Sequence, residues 1–230
     1  MKSIAIAGGL LASALLLSGC GLAAVGGPSD QDTVSYEVTD KVTTLQLKNG
    51  SGNAVVTETG GSAVQVVETL RWRGDAKPET EHKVEGGRLM LTYDCPANWG
   101  NCSVDYKIEI PKGLRVDLDA GSGDLTLRGL TGELSARLGS GDLDASGMAN
   151  KKVVAETGSG DIELSYAAAP DSAELKAGSG DLTLSVPDGA YDVKSETGAG
   201  DANVSVKTDA SSPHKISMST GSGDVTVSAG

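Results

Sequence analysis

Leu134-Ser-Ala-Arg-Leu-Gly-Ser-Gly-Asp-Leu-Asp-Ala145 is followed nineteen residues on by Val153-Val-Ala-Glu-Thr-Gly-Ser-Gly-Asp-Ile-Glu-Leu164, and the pair decides the fold. In both stretches apolar or small residues alternate with polar ones on each side of a glycine corner. Alternation with period 2 marks a strand buried on one face, and two glycines within three residues mark a sharp turn. Each stretch therefore reads as strand, corner, strand. The corner recurs as Gly121-Ser-Gly123-Asp124, Gly139-Ser-Gly141-Asp142, Gly158-Ser-Gly160-Asp161, Gly178-Ser-Gly180-Asp181 and Gly221-Ser-Gly223-Asp224. Gly198-Ala-Gly200-Asp201 is a variant, and Gly50-Ser51-Gly52-Asn53 is an outlying copy.

From Asp124 onward the aspartates are 18, 19, 20, 20 and 23 residues apart. A meander of hairpins would share the local pattern. A near-constant step with matching flanks favours coils stacked in parallel, because one coil cannot bury its apolar face alone. The expected fold is an all-β, parallel β-solenoid of about 20-residue coils over 116–230, continuous with a divergent N-terminal β region over 32–115. That region reads as irregular coils or a β cap, as terminal repeats usually are. Trp72 shares strand parity with Val66 and Leu70, which assigns it to the core. The extra residues of the longer steps fall in the second turn, at Arg128 to Glu133, Ser165 to Ser172 and Ser205 to Lys215. Loops on such an edge are a common binding edge, though drift in tolerant loops is the preferred explanation.

Composition fits a thin core. Glycine is 32 of 230 residues, phenylalanine is absent, and the inward positions are Ala, Thr, Val and Leu. Asp+Glu total 31 against 19 Lys+Arg, for a net charge of -12, so a nucleic-acid partner, which needs a basic footprint, is excluded.

Residues 1–19 read as a signal peptide: Lys2, then an apolar run from Ile4 to Leu17 too short for a comfortable membrane span. The run ends in Leu17-Ser18-Gly19-Cys20, which resembles the lipobox of bacterial lipoproteins. The resemblance implies a diacylglyceryl thioether on Cys20, cleavage before it, and a mature chain of 20–230. Residues 20–31, with several glycines and no period, read as a lipid-anchored flexible tether. In an exported chain Cys95 and Cys102 are expected to form a disulfide. Trp99, between them, is the candidate exposed ligand contact. His82 and His214 are isolated and carry no assigned role. No metal site, cofactor or nucleophile motif is expected.

The Gly-x-Gly-Asp corner has three readings. As a turn, both glycines permit positive φ and the Asp bonds its own turn amides. As a ladder of carboxylates about 4.8 Å apart, it could hold a cation. As a carboxylate pair it has a spacing that suits retaining glycosidases, but catalysis needs one distinguished pair in unlike environments, and here the positions repeat. The turn reading is preferred.

The lipobox, the tether, the Ile110-Pro-Lys-Gly-Leu-Arg-Val116 approach strand and the serial Ser-Gly-Asp-hydrophobe-x-hydrophobe units resemble the bacterial putative-adhesin family over residues 40 to 228. That resemblance implies exported β-solenoid domains of unknown function, with no catalytic residues to carry over. The expected function is a non-catalytic, lipid-anchored surface binding or adhesion module of the bacterial cell envelope. Its partner would be an envelope or surface protein or a glycan. The alternatives are an envelope structural or stress-signalling accessory protein and, disfavoured by the site argument, a carbohydrate-active β-helix enzyme.

Overall fold

The computed structural model describes residues 30–96 and 102–230. The described residues form two ten-stranded sheets, predominantly parallel and without a helix. Each regular coil gives one strand to either sheet, with the glycine corner between them. The Asp142 coil, for example, is Leu134–Ser140 followed by Leu143–Met148. Register between coils keeps like with like: Ala136 pairs with Ala155 and Leu118, and Leu143 with Ile162 and Leu125. Inward residues are therefore stacked in columns. Leu125, Leu143, Ile162, Leu182 and Val225 form one such column, all essentially without solvent exposure. Columns of Val, Ala and Leu fill the narrow space between the sheets, so no phenylalanine is needed.

The spatial order of the coils is not their order in the chain. Named by their corner residues, the coils stack as Asn53, Asp124, Asp142, Asp161, Asp181, Asp224 and Asp201. The last coil in sequence, Lys215–Thr220 with Val225–Ala229, slips between Ser172–Val186 and Ala190–Val204. Side-chain chemistry explains the exchange. The Asp224 coil brings Ile216, Met218, Val225 and Val227 inward, all buried. At matching places the Asp201 coil has Val193, Ser195, Ala202 and Val204, which remain half-buried or exposed. A solenoid needs its more polar repeat outermost, and this order supplies it. The long 205–214 connection makes the crossover, pairing Lys207–Thr208 with Ala190–Tyr191 on the way.

The other end repeats the manoeuvre. The Asn53 coil, Thr44–Ser51 and Ala54–Glu58, lies directly on the Asp124 coil although 56 residues separate their nearest strands. The intervening chain folds outside it. Cys102–Ile110 adds to one sheet in parallel, then Val64–Trp72 and Asp30–Val38 close that sheet antiparallel. Arg88–Asp94 and antiparallel Glu79–Glu85 close the other. Antiparallel outer strands end the repeat and offer no parallel template to a further coil. Trp72 is half-buried at the edge of this cap rather than inside the core, with Lys77 Nζ 5.1 Å from its ring centre. Its strand parity is inward, but it is the last residue of its strand, and its ring packs only partly buried against the margin of the core.

Candidate functional site: the glycine–aspartate ladder

The two glycines of a corner have different duties. Only the second, at Gly52, Gly123, Gly141, Gly160, Gly180, Gly200 and Gly223, has positive φ, between 109° and 139°. The first is required by close approach. A Cβ on Gly158 would lie 2.6 Å from the carbonyl oxygen of Gly139, and one on Gly178 2.5 Å from that of Gly158. The same contact recurs at Gly121, Gly139, Gly198 and Gly221. Of the two glycines that permit positive φ, only the second uses it; the first has ordinary φ and no room for a side chain.

The aspartates also differ from the expected turn. Their carboxylates bond not their own turn amides but the amide of the equivalent residue one coil further on. Asp124 Oδ1 accepts Asp142 N–H at 3.1 Å, Asp142 accepts Asp161 at 2.8 Å, and Asp161 accepts Asp181 at 2.7 Å. The order then follows the spatial stack: Asp181 accepts Asp224 at 2.7 Å, and Asp224 accepts Asp201 at 2.8 Å. A self-capping turn bonds within one corner. Here the coil above brings its amide to the carboxylate, so the residue welds neighbours together. These are charge-assisted bonds, about twice as strong as neutral ones.

The ladder extends beyond the motif. Asn53 Oδ1 accepts Asp124 N–H at 2.9 Å, and Asp105 Oδ1 accepts Asn53 N–H at 2.9 Å. Asp105 pairs through its other oxygen with Arg71 Nε at 3.0 Å, which neutralises that end. No glycine precedes Asp105, so its membership was invisible in the sequence; only the sheet register reveals it. At the opposite end stands Asp201, on the outermost coil.

The remaining singled-out residues fall as follows. Cys95 and Cys102 are bridged, with Cα atoms 6.2 Å apart. Cys20, the signal segment and Trp99 lie outside the described residues. His82 stacks on Tyr36 with ring centres 4.2 Å apart, and His214 Nδ1 lies 2.8 Å from the Pro170 carbonyl oxygen. Among the described residues no group of three or more His, Cys, Asp or Glu side chains is placed to hold a metal ion. A cleft of about 320 Å³ opens at the Asp201 end between Asp188–Ala190 and Ser205–Lys207.

The outward face of the sheet that follows the corners carries polar rows. Thr126, Asp144, Glu163, Thr183, Thr226 and Asn203 stand in register, and beside them Ser165, Ser185 and Ser228. The Arg128 guanidinium grips Asp144 with two bonds, at 2.8 and 2.9 Å, holding that carboxyl below its usual range.

Stacked parallel coils, joined by carboxylate-to-amide bonds at glycine corners and closed by antiparallel strands, define a two-sheet β-solenoid domain of the repeat class. The chain belongs to the Toastrack DUF4097 family, whose model matches residues 29–228. Among solved structures it is similar to a putative cell adhesion protein from Clostridium sporogenes, 13% identical over 88% of this chain and 100% of that one, with TM-score 0.48. It is also similar to a putative adhesin from Bacteroides fragilis, 16% identical over 87% and 97% of the two chains, with TM-score 0.45. No curated protein matches it.

Proposed function

We infer that the protein is a non-catalytic binding module held at the bacterial cell surface by lipid on Cys20, with residues 20–31 as its tether. The observation that supports this most is the in-register polar face running from Thr126 to Asn203. Rows of hydroxyl, carboxylate and amide groups repeat at about the 4.8 Å strand spacing. Such a face offers many weak, evenly spaced hydrogen bonds to an extended partner, and each bond gains by avidity from the next. The names of the similar solved structures point the same way, towards adhesion. The ladder serves this function as scaffold, because it fixes the pitch of the face. Catalysis is disfavoured on the same ground as before: the carboxylates repeat in equivalent places, and each from Asp124 to Asp224 is engaged by the amide of the next coil.

Adhesion of protein-coated beads to intact bacterial envelopes tests the face. Thr183→Arg with Ser185→Arg should reduce adhesion strongly, while Lys176→Ala on the opposite sheet should not. Equal adhesion by all three proteins would sink the reading. Cys20→Ala tests the anchor: the variant should accumulate unprocessed or leave the membrane fraction, and a mature, membrane-bound variant would overturn it.

A further inference from the structure

The interior between the sheets buries Thr157, Thr220 and Asn150 along the regular stack, and among the described residues its one buried charged side chain, Glu68, lies at the N-terminal end. On Val64–Trp72 the inward series is Val64, Val66, Glu68 and Leu70, and Glu68 is only 1% exposed. One of its oxygens accepts the Tyr36 hydroxyl at 2.6 Å; Oε2 has no partner among the described residues. Tyr106 stands directly opposite Glu68 across the strand pair, is 2% exposed, and its hydroxyl is equally unpartnered. Burial, reinforced by the Glu68 charge, holds both phenols above their ordinary range, so they stay neutral. The neighbouring cations face away from this interior: Arg71 is exposed and bonded to Asp105, and Lys107 is exposed. A carboxylate oxygen withdrawn from water with no counter-group is strongly unfavourable.

Two aromatic rings meet at this end, between the outermost strands of the two sheets. Tyr36 on the outermost strand of one sheet stacks on His82 of the outermost strand of the other, at 4.2 Å and 20° between planes. They touch across the gap through exposed or half-buried rings, not through a backbone ladder.

We propose that this end of the solenoid is a binding site for a primary ammonium group, with Glu68 as its counter-charge, the Tyr106 hydroxyl as a second acceptor and the Tyr36–His82 pair as a door. The chemistry selects among cations. Calcium or magnesium asks for six or more oxygen ligands, and one carboxylate with two phenols does not supply them. A guanidinium presents a planar fork suited to paired acceptors, whereas Oε2 and the Tyr106 hydroxyl belong to separate strands. An ammonium is compact, carries up to three donors, and is favoured near aromatic rings. It can arrive as a free small amine or as a lysine side chain. The site is separate from the polar face and does not depend on the adhesion reading.

Melting curves of the full-length protein at constant ionic strength provide the test, with methylammonium, Nα-acetyllysine methylamide, potassium and tetramethylammonium chlorides as probes. Methylammonium should raise Tm in a saturable way through linkage, and potassium and tetramethylammonium, which cannot donate hydrogen bonds, should not. A rise with the lysine derivative as well would mean that the door admits a side chain; a rise with methylammonium alone would mean a free amine. Glu68→Gln should abolish the effect. If that variant does not fold, Tyr106→Phe keeps the charge and the ring and should raise the half-saturating concentration about fivefold, the worth of one hydrogen bond. An equal rise with potassium, no rise with either amine, or an unchanged Tyr106→Phe titration would each overturn the proposal.

Discussion

Replacing glycines of the Asp161 corner by alanine separates steric approach from backbone conformation. Gly158 has ordinary φ, and an added Cβ would lie 2.6 Å from Gly139 O, where real Cβ atoms essentially never come within 3.0 Å. The Asp142 and Asp161 coils must then part by about 0.4 to 0.8 Å at the corner to restore ordinary contact. Three bonds bridge them there, Asp161 N–H to Asp142 Oδ1 at 2.8 Å, Leu143 N–H to Asp161 O at 2.9 Å and Gly141 N–H to Ser159 O at 3.0 Å. Stretched by that amount, they reach about 3.2 to 3.8 Å, from the edge of the useful hydrogen-bond range to beyond it. One charge-assisted and two neutral bonds, weakened rather than abolished, set the cost of Gly158→Ala at about 2–3 kcal/mol, within the usual range for overpacking. Gly160→Ala has the same close approach and in addition φ of 128°, so it should cost about 3–5 kcal/mol. Gly113→Ala, at φ of 78° in open space, should cost only the conformational part, about 1–2 kcal/mol. Gly60→Ala meets nothing within 4 Å and should be silent. Urea unfolding followed by circular dichroism ranks the four. If Gly158→Ala proves as stable as Gly60→Ala, the close-approach account of the first glycine is wrong.

Asp161→Asn should change stability by about 1 kcal/mol or less, since an amide oxygen still accepts Asp181 N–H while repulsion from Asp142 and Asp181 is relieved. Asp161→Ala removes the acceptor and should cost more; millimolar calcium should move neither melting curve, and a large calcium-dependent rise in the parent alone would restore the cation-ladder reading. Deleting 209–230 should cost about one coil's worth of stability, because the Asp201 coil can take the vacated register on the Asp181 coil; proteolysis that reaches residues 190–208 would refute the shared-register account. Asp144 titrates below the usual carboxylate range through its Arg128 bonds, so this pair contributes above the unfolded pKa and is lost as pH falls through the folded one. Arg128→Gln should shift the Asp144 carboxyl midpoint upward in an NMR titration, and an unmoved midpoint would remove the pair from the account.

The strands, the corners and the thin core were legible because alternation and glycine punctuation are local properties. Coil order was not. Val193, Ile216 and Ala173 occupy the same place in equivalent coils, so each strand could pair with either of the others at identical register. Only the sum of apolar burial across the end of the stack selects the outermost coil. Asp105 escaped notice because its part in the ladder comes from pairing with Ala54–Glu58, half a hundred residues away. Glu68 could have been found: it shares parity with Val66 and Leu70, and a charge on the buried side of an alternating strand is a signal in itself.

The exchanged coils have a consequence in time. A chain is made N-terminus first, so residues 190–204 exist before residues 215–229 that must lie beneath them. At that moment the exposed end of the stack is the Asp181 coil, and the register open to Ile216 is equally open to Val193. The newborn Asp201 coil therefore meets a seat that belongs to its successor. Growth of this solenoid cannot proceed by simple addition in the order of synthesis. It requires an insertion or a displacement by residues 215–229, completed only after they have emerged.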